Sequence, residues 1–130
     1  MRFPFLTRCS SQRLCKRLLE TQGGLDVITA DDGDTALITL IDSYAPGGSA
    51  FDFVLMDLMM PRKDGVTATR EFRAWEREHL PAGHHLTVIA LSANVFEDVV
   101  ATCTAAGFDA FVCKPLRLDT LRVALAANNM

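Results

Sequence analysis

The sequence predicts a single α/β domain built on a doubly wound parallel sheet with helices on both faces. Three observations lead there. Short apolar runs such as LTVIAL at 86–91 lack polar alternation, which suits strands buried on both sides. Longer segments with apolar residues every three or four positions separate those runs, as helices do. Finally, right-handed crossovers bring all strand carboxyl ends to one rim, and Asp57, Ser92 and Lys114 stand at three such ends.

Taken in order, Arg2 to Leu6 is the candidate for a strand ahead of the first helix. Pro4 lacks the N–H that a central ladder needs, so this strand is expected to be short, distorted or incomplete, within an atypical segment over 1–10. Leu14, Cys15, Leu18 and Leu19 mark a first helix, closed by Gly23-Gly24. Leu25 to Ala30 follows as a strand. Ala36, Leu37, Leu40, Ile41 and Tyr44 form a second helical stripe, ended by Pro46-Gly47-Gly48. Phe51 to Met56 reads as a strand buried on both faces. Val66, Thr69, Phe72 and Trp75 mark a third helix, ending near Pro81. The strand at 86–91 comes next, then a fourth helix on Val95, Val99, Cys103 and Ala106, stopped by Gly107. Ala110 to Cys113 is the last strand, and Leu118, Leu121 and Leu125 mark a fifth helix.

The 130 residues suit one domain with one core, spanning 1–130. Formal charge is −3, from 13 basic and 16 acidic residues, with no basic stripe, so nucleic acid is not an expected partner. No apolar run is long enough to span a bilayer, and MRFPFLTRCSS lacks the apolar region of a signal peptide. A cytoplasmic location is expected. Cys9, Cys15, Cys103 and Cys113 show no metal-ligand spacing with His79, His84 and His85. Reduced thiols are expected, with Cys103 and Cys113 acting as small hydrophobes.

Asp57 by itself has three readings. It is a satisfied strand-end carboxylate or cap, a ligand for a hard cation, or a nucleophile toward phosphorus. Lys114 and Ser92 raise the weight of the third. Phosphoryl transfer needs charge stabilisation around the equatorial oxygens, and an ammonium and a hydroxyl supply it. Ala93 leaves room beside that rim.

MDLMMPRKDG at 56–65, VIALSAN at 88–94 and AFVCKP at 110–115 together resemble a response-regulator receiver domain of a two-component phosphorelay. RLLETQGG at 17–24 and VITADDGDTAL at 27–37 add to the likeness, which resembles hybrid histidine kinase receivers in particular. The resemblance implies a flavodoxin-like sheet of five parallel strands in the order 2-1-3-4-5 with five helices. It implies that Asp57 takes a phosphoryl group from a phosphohistidine of a histidine kinase or histidine phosphotransfer domain. Lys114 would pair with that group, Ser92 would donate to it, and Phe111 would turn inward as the switch. The Lys114–Pro115 bond would be cis. Mg²⁺ would bind Asp57 and the Met59 carbonyl. Met59 and Asn94 would flank the path of hydrolytic water, and the apolar Met59 implies a phosphoryl group that is not rapidly lost. The fourth helix, fifth strand and fifth helix would form a switched face, and a homodimer surface.

One departure is plain. The family's two adjacent acidic residues after the first strand, partners of the acceptor in holding Mg²⁺, fall on Leu6 and Thr7. Leu6 has no oxygen and Thr7 only a neutral hydroxyl. Asp31 and Asp32 sit after the second strand, two strand spacings or about 9.5 Å from Asp57, whereas Mg²⁺ takes oxygens at about 2.1 Å. They read as loop and cap residues. Weak or absent Mg²⁺ is therefore expected. A degenerate receiver serving as a non-catalytic interaction module is the alternative, and an N-terminus other than the functional one would also explain the loss. A flavin-binding domain is disfavoured by the lack of a glycine-rich loop. A phosphatase of similar topology is disfavoured because Met59 replaces the second Asp it needs.

Overall fold

The computed structural model describes residues 2–6, 26–30, 32–46, 51, 53–58, 63–92, 97–113 and 117–127. Within them the strands are β1 (Arg2–Leu6), β2 (Asp26–Ala30), β3 (Phe53–Asp57), β4 (Thr87–Ser92) and β5 (Ala110–Cys113). The helices are α1 (Gly33–Asp42), α2 (Gly65–His79), α3 (Glu97–Ala106) and α4 (Leu118–Ala127). These correspond to the second to fifth helices expected from the sequence. The first, around Leu14 to Leu19, lies outside the described residues.

All strand pairs are parallel, and the sheet order is β2-β1-β3-β4-β5. That is the order the resemblance implied. β3 is central, and all five of its residues are buried. Successive side chains on a strand face opposite ways, so burial throughout means that both faces are covered. β4 repeats the pattern through Leu91.

β1 pairs with β2 along all five residues, but with β3 only through Phe5 and Leu6. Pro4 lies opposite Ile28 in the β1–β2 pairing and outside the two β1–β3 pairs. At five residues β1 is as long as β2 and β3, so the expected shortening is not seen; its pairing with β3 covers two of its residues.

α1 packs on α2, and α2 on α3, as one layer. Asp32 caps α1 by accepting a hydrogen bond from the Thr35 N–H at 2.8 Å, and Asp64 caps α2 from Thr67 at 2.7 Å. The cap role expected of Asp32 is therefore met; Asp31 lies outside the described residues. Gly107 ends α3 as expected, with φ of 109° and N–H groups of Gly107 and Phe108 both returning to the Cys103 carbonyl. One expectation fails. Cys103 is buried, and burial pushes its thiol up, but Cys113 is exposed. β5 is the edge strand, so its last residue has no neighbour on one side.

The buried face of α2 runs through Ala68, Thr69, Phe72, Arg73 and Glu76. Phe72 and Trp75 meet Tyr44 at ring-centroid distances of 6.4 and 5.7 Å. The Tyr44 hydroxyl is enclosed without a hydrogen-bond partner. Burial, then the nearby Glu76 charge, pushes its pKa from 10.0 up to about 12. The neutral phenol is thus favoured in the folded state. Its contribution to stability should be intact below pH 10 and fall as pH rises toward 12. Tyr44 is the sole tyrosine, so phenolate absorbance in a rapid pH jump reads it alone. Half-ionisation near pH 12 is expected in folded protein, and a value near 10 would contradict the enclosure.

Candidate functional site

Asp57 is the last residue of β3 and is 1% exposed. The sequence placed it just past a strand ending at Met56, but pairing continues one residue further. Asp57 lies opposite Leu91 of β4, and Ser92, half-buried, is the next residue along that strand. Ser92 in turn lies opposite Cys113 of β5. The order of strands therefore brings a carboxylate and a hydroxyl, 35 positions apart in sequence, to the same rim on adjacent strands. Phe111 lies opposite Ala90, half-buried and packed against the core. Lys114 follows Cys113 directly in the chain. Lys114, Pro115, Met59, Ala93, Asn94 and Thr7 lie outside the described residues.

The chain turns sharply after Asp57. The Leu58 N–H donates to the Leu91 carbonyl at 3.3 Å, and the Leu58 carbonyl accepts from Gly65 at 3.2 Å. That second bond closes the loop on itself where α2 begins. Gly65 lies directly on the backbone of Asp57: a Cβ there would stand 2.2 Å from the Asp57 carbonyl oxygen. Asp64-Gly65 thus does more than turn the chain. Gly65→Ala should cost about 1–3 kcal/mol, because the obstructing atom is backbone and cannot swing away. Urea unfolding measures it, and an unchanged midpoint would contradict the close approach.

The residues fit a resident divalent ion poorly. β1 lies between β2 and β3, with Leu6 opposite both Ala30 and Met56, one residue short of the Asp57 level. The side chain there offers no oxygen. Asp32 follows the end of β2, and β1 separates that strand from Asp57. Among the described residues no three or more His, Cys, Asp or Glu side chains come together as a metal cluster.

A second polar centre lies at the opposite rim, and the sequence reading missed it. Arg73 of α2 is 5% exposed. Its Nη1 donates to Glu76 Oε1 at 2.9 Å, its Nη2 to Asp109 Oδ2 at 3.0 Å and its Nε to the Gly107 carbonyl at 3.0 Å. The carboxylates also accept backbone N–H groups, Glu76 from Leu86 and Asp109 from Val88, both at 2.8 Å. His84 Nδ1 lies 3.0 Å from Glu76, and His85 Nε2 lies 2.6 Å from Asp109. The network ties α2 to the starts of β4 and β5. Its signal was present: Arg73 and Glu76 fall at helical spacing on the same stripe as Thr69 and Phe72.

The family model for the response regulator receiver domain matches residues 9–126. The chain belongs to that family. Two curated relatives and one solved structure illustrate the likeness. The receiver domain is 34% identical over 114 residues to the two-component response regulator ORR41 of Oryza sativa subsp. japonica, covering 87% of this chain and 81% of that protein. It is 39% identical over 72 residues to histidine protein kinase 1 of Candida albicans, covering 55% of this chain. The match spans only 3% of that kinase's length. The receiver domain of the histidine kinase CKI1 from Arabidopsis thaliana, complexed with Mg²⁺ and BeF₃⁻, superposes with a TM-score of 0.81 at 26% identity. The match covers 96% of this chain and 89% of that one. This protein is thus a response-regulator receiver domain. Among the described residues, no helix is long and apolar enough to cross a membrane.

Proposed function

We propose that Asp57 is the phosphoacceptor of this receiver domain. The observation that carries the reading is its place at the carboxyl end of the central strand, beside Ser92, on the rim where β5 also ends at Cys113. A carboxylate oxygen of Asp57 attacks the phosphorus of a phosphohistidine on a histidine kinase or histidine phosphotransfer domain. A new O–P bond forms as the N–P bond breaks, and the leaving imidazole takes up a proton. Ser92 donates a hydrogen bond to one phosphoryl oxygen, and the Lys114 ammonium offsets the added charge. Both groups stabilise charge that grows during transfer. Phe111 follows Ser92 inward, which re-shapes the face made by α3, β5 and α4. That face would contact the output partner, or a second copy of the chain.

Mg²⁺ is expected to bind weakly, through Asp57 and the Met59 carbonyl, because Leu6 stands in place of a carboxylate. In the CKI1 receiver domain Mg²⁺ and BeF₃⁻ are bound together, so the same pair is the natural probe. The proposed setting is cytoplasmic, as a separate receiver or as part of a larger sensor kinase.

A second reading rests on that same leucine. A receiver lacking its acidic pair serves as a docking surface that is not phosphorylated. Titration with Mg²⁺ alone and with beryllofluoride separates the two. Binding that disappears in Asp57→Asn supports the acceptor. Absence of binding at millimolar concentration favours the docking surface, and acids restored at positions 6 and 7 then show whether the missing pair is the cause.

A further inference from the structure

We propose that Lys63 is a positioning residue for Asp57, locking the return arm of the acceptor loop to two helices at once. The inference rests on Asp57 as acceptor for its functional meaning, but not for its geometry. Lys63 Nζ lies 2.6 Å from Glu71 Oε2 in α2 and 3.3 Å from Asp34 Oδ1 in the first turn of α1. Only a fifth of its side chain is exposed. The Glu71 contact, ahead of an opposing desolvation and the smaller Asp34 contact, pushes the ammonium above its ordinary range.

An independent backbone contact lies beneath this clasp. The Lys63 carbonyl packs so closely on Gly33 that a Cβ there would stand 1.8 Å from its oxygen. α1 therefore meets the loop through side chain and backbone together. Two residues further on, Gly65 rests on the Asp57 carbonyl and donates to Leu58. Lys63, Asp64 and Gly65 thus form a short path from α1 to the acceptor's own peptide. Asp64 holds the middle of it by capping α2.

Ion pairs this close to solvent contribute little to global stability. The consequence of the clasp is therefore positional. With Lys63 neutral, the two carboxylates lose their shared cation, the arm loosens from α1, and the Leu58–Gly65 closure opens more often. An acceptor whose backbone shifts by a fraction of an ångström meets phosphorus less often in line.

The test follows phosphoryl uptake from acetyl phosphate, by intact mass, in wild type, Lys63→Met, Lys63→Arg and Glu71→Gln. Lys63→Met should lower the maximal uptake rate about five- to tenfold, with half-saturation by donor and thermal midpoint nearly unchanged. Lys63→Arg should recover most of the rate, and Glu71→Gln should fall between. Equal rates in wild type and Lys63→Met, or a loss that tracks the fraction unfolded, would overturn the proposal. Amide hydrogen exchange at Gly65 provides the readout that needs no phosphorylation. It should quicken about tenfold in Lys63→Met, and unchanged exchange would overturn the clasp. If wild type takes up no phosphoryl group while Gly65 exchange responds, Asp57 as acceptor fails and the clasp stands.

Discussion

Replacing Asp57 by asparagine is expected to reduce phosphoryl uptake to the level of a protein-free blank. The chemistry requires an anionic oxygen that can bond to phosphorus and hold it as an acyl phosphate. An amide carbonyl is a far weaker nucleophile and cannot form that product. The side chain is 1% exposed, so shape matters as much as charge. Asparagine keeps the volume and one acceptor oxygen, so the thermal midpoint should move by no more than about 5 °C. The pairing of lost uptake with a retained fold is the informative result. Incubation with acetyl phosphate, followed by intact-mass and peptide mapping, decides it. Uptake that persists in Asp57→Asn would place the acceptor elsewhere.

The second large effect concerns stability at the far rim. Arg73→Ala should destabilise the domain by about 3–5 kcal/mol. The guanidinium makes three hydrogen bonds, two of them to the carboxylates of Glu76 and Asp109, whose side chains are 4% and 16% exposed. Deleting it leaves two negative charges close together with little water to solvate them. The backbone N–H groups of Leu86 and Val88 and the rings of His84 and His85 still meet those carboxylates, but none takes the buried position of the guanidinium between them. The loss is a large fraction of the roughly 5–15 kcal/mol that holds a domain folded. It should lower the thermal midpoint by about 10–20 °C. Glu76→Gln should cost less, because the amide oxygen can still accept from Leu86. Equal midpoints for wild type and Arg73→Ala in chemical denaturation would refute the network's structural role.

These two centres were unequally visible in sequence. Asp57 was conspicuous because a carboxylate ends an unbroken apolar run, and because MDLMMPRKDG surrounds it. Ser92 was legible for a similar reason, at the end of VIALS. The Arg73 network was not. Arg73 and Asp109 are 36 positions apart, and the two histidines belong to a loop whose composition suggests only a turn. Charged residues on a helix are ordinarily solvated, so the buried pair was hidden by a sound general expectation. Lys63 was hidden similarly, since neither Asp34 nor Glu71 shares an element with it.

The departure at Leu6 gained a location from the fold. From the sequence, Leu6 is a residue without oxygen at a position that calls for one. The register adds that it lies beside Met56, on the strand between Asp57 and the acidic residues after β2. Asp32 is then seen to cap α1, which gives it a structural use independent of any metal.

The amino-acid order alone determined the alternation of elements, the burial of β3 and β4, the stop at Gly107 and the chemical types at the rim. Each depends on local periodicity or on the backbone preference of one residue, information that lies within a few neighbours. Only the tertiary structure decided that β3 extends through Asp57, that Pro4 escapes the β1–β3 pairing and that Cys113 faces outward. It also decided which distant charges meet, Lys63 with Asp34 and Glu71, and Arg73 with Asp109. Those outcomes depend on strand register and helix packing, which bring together groups whose separation along the chain carries no periodic signal.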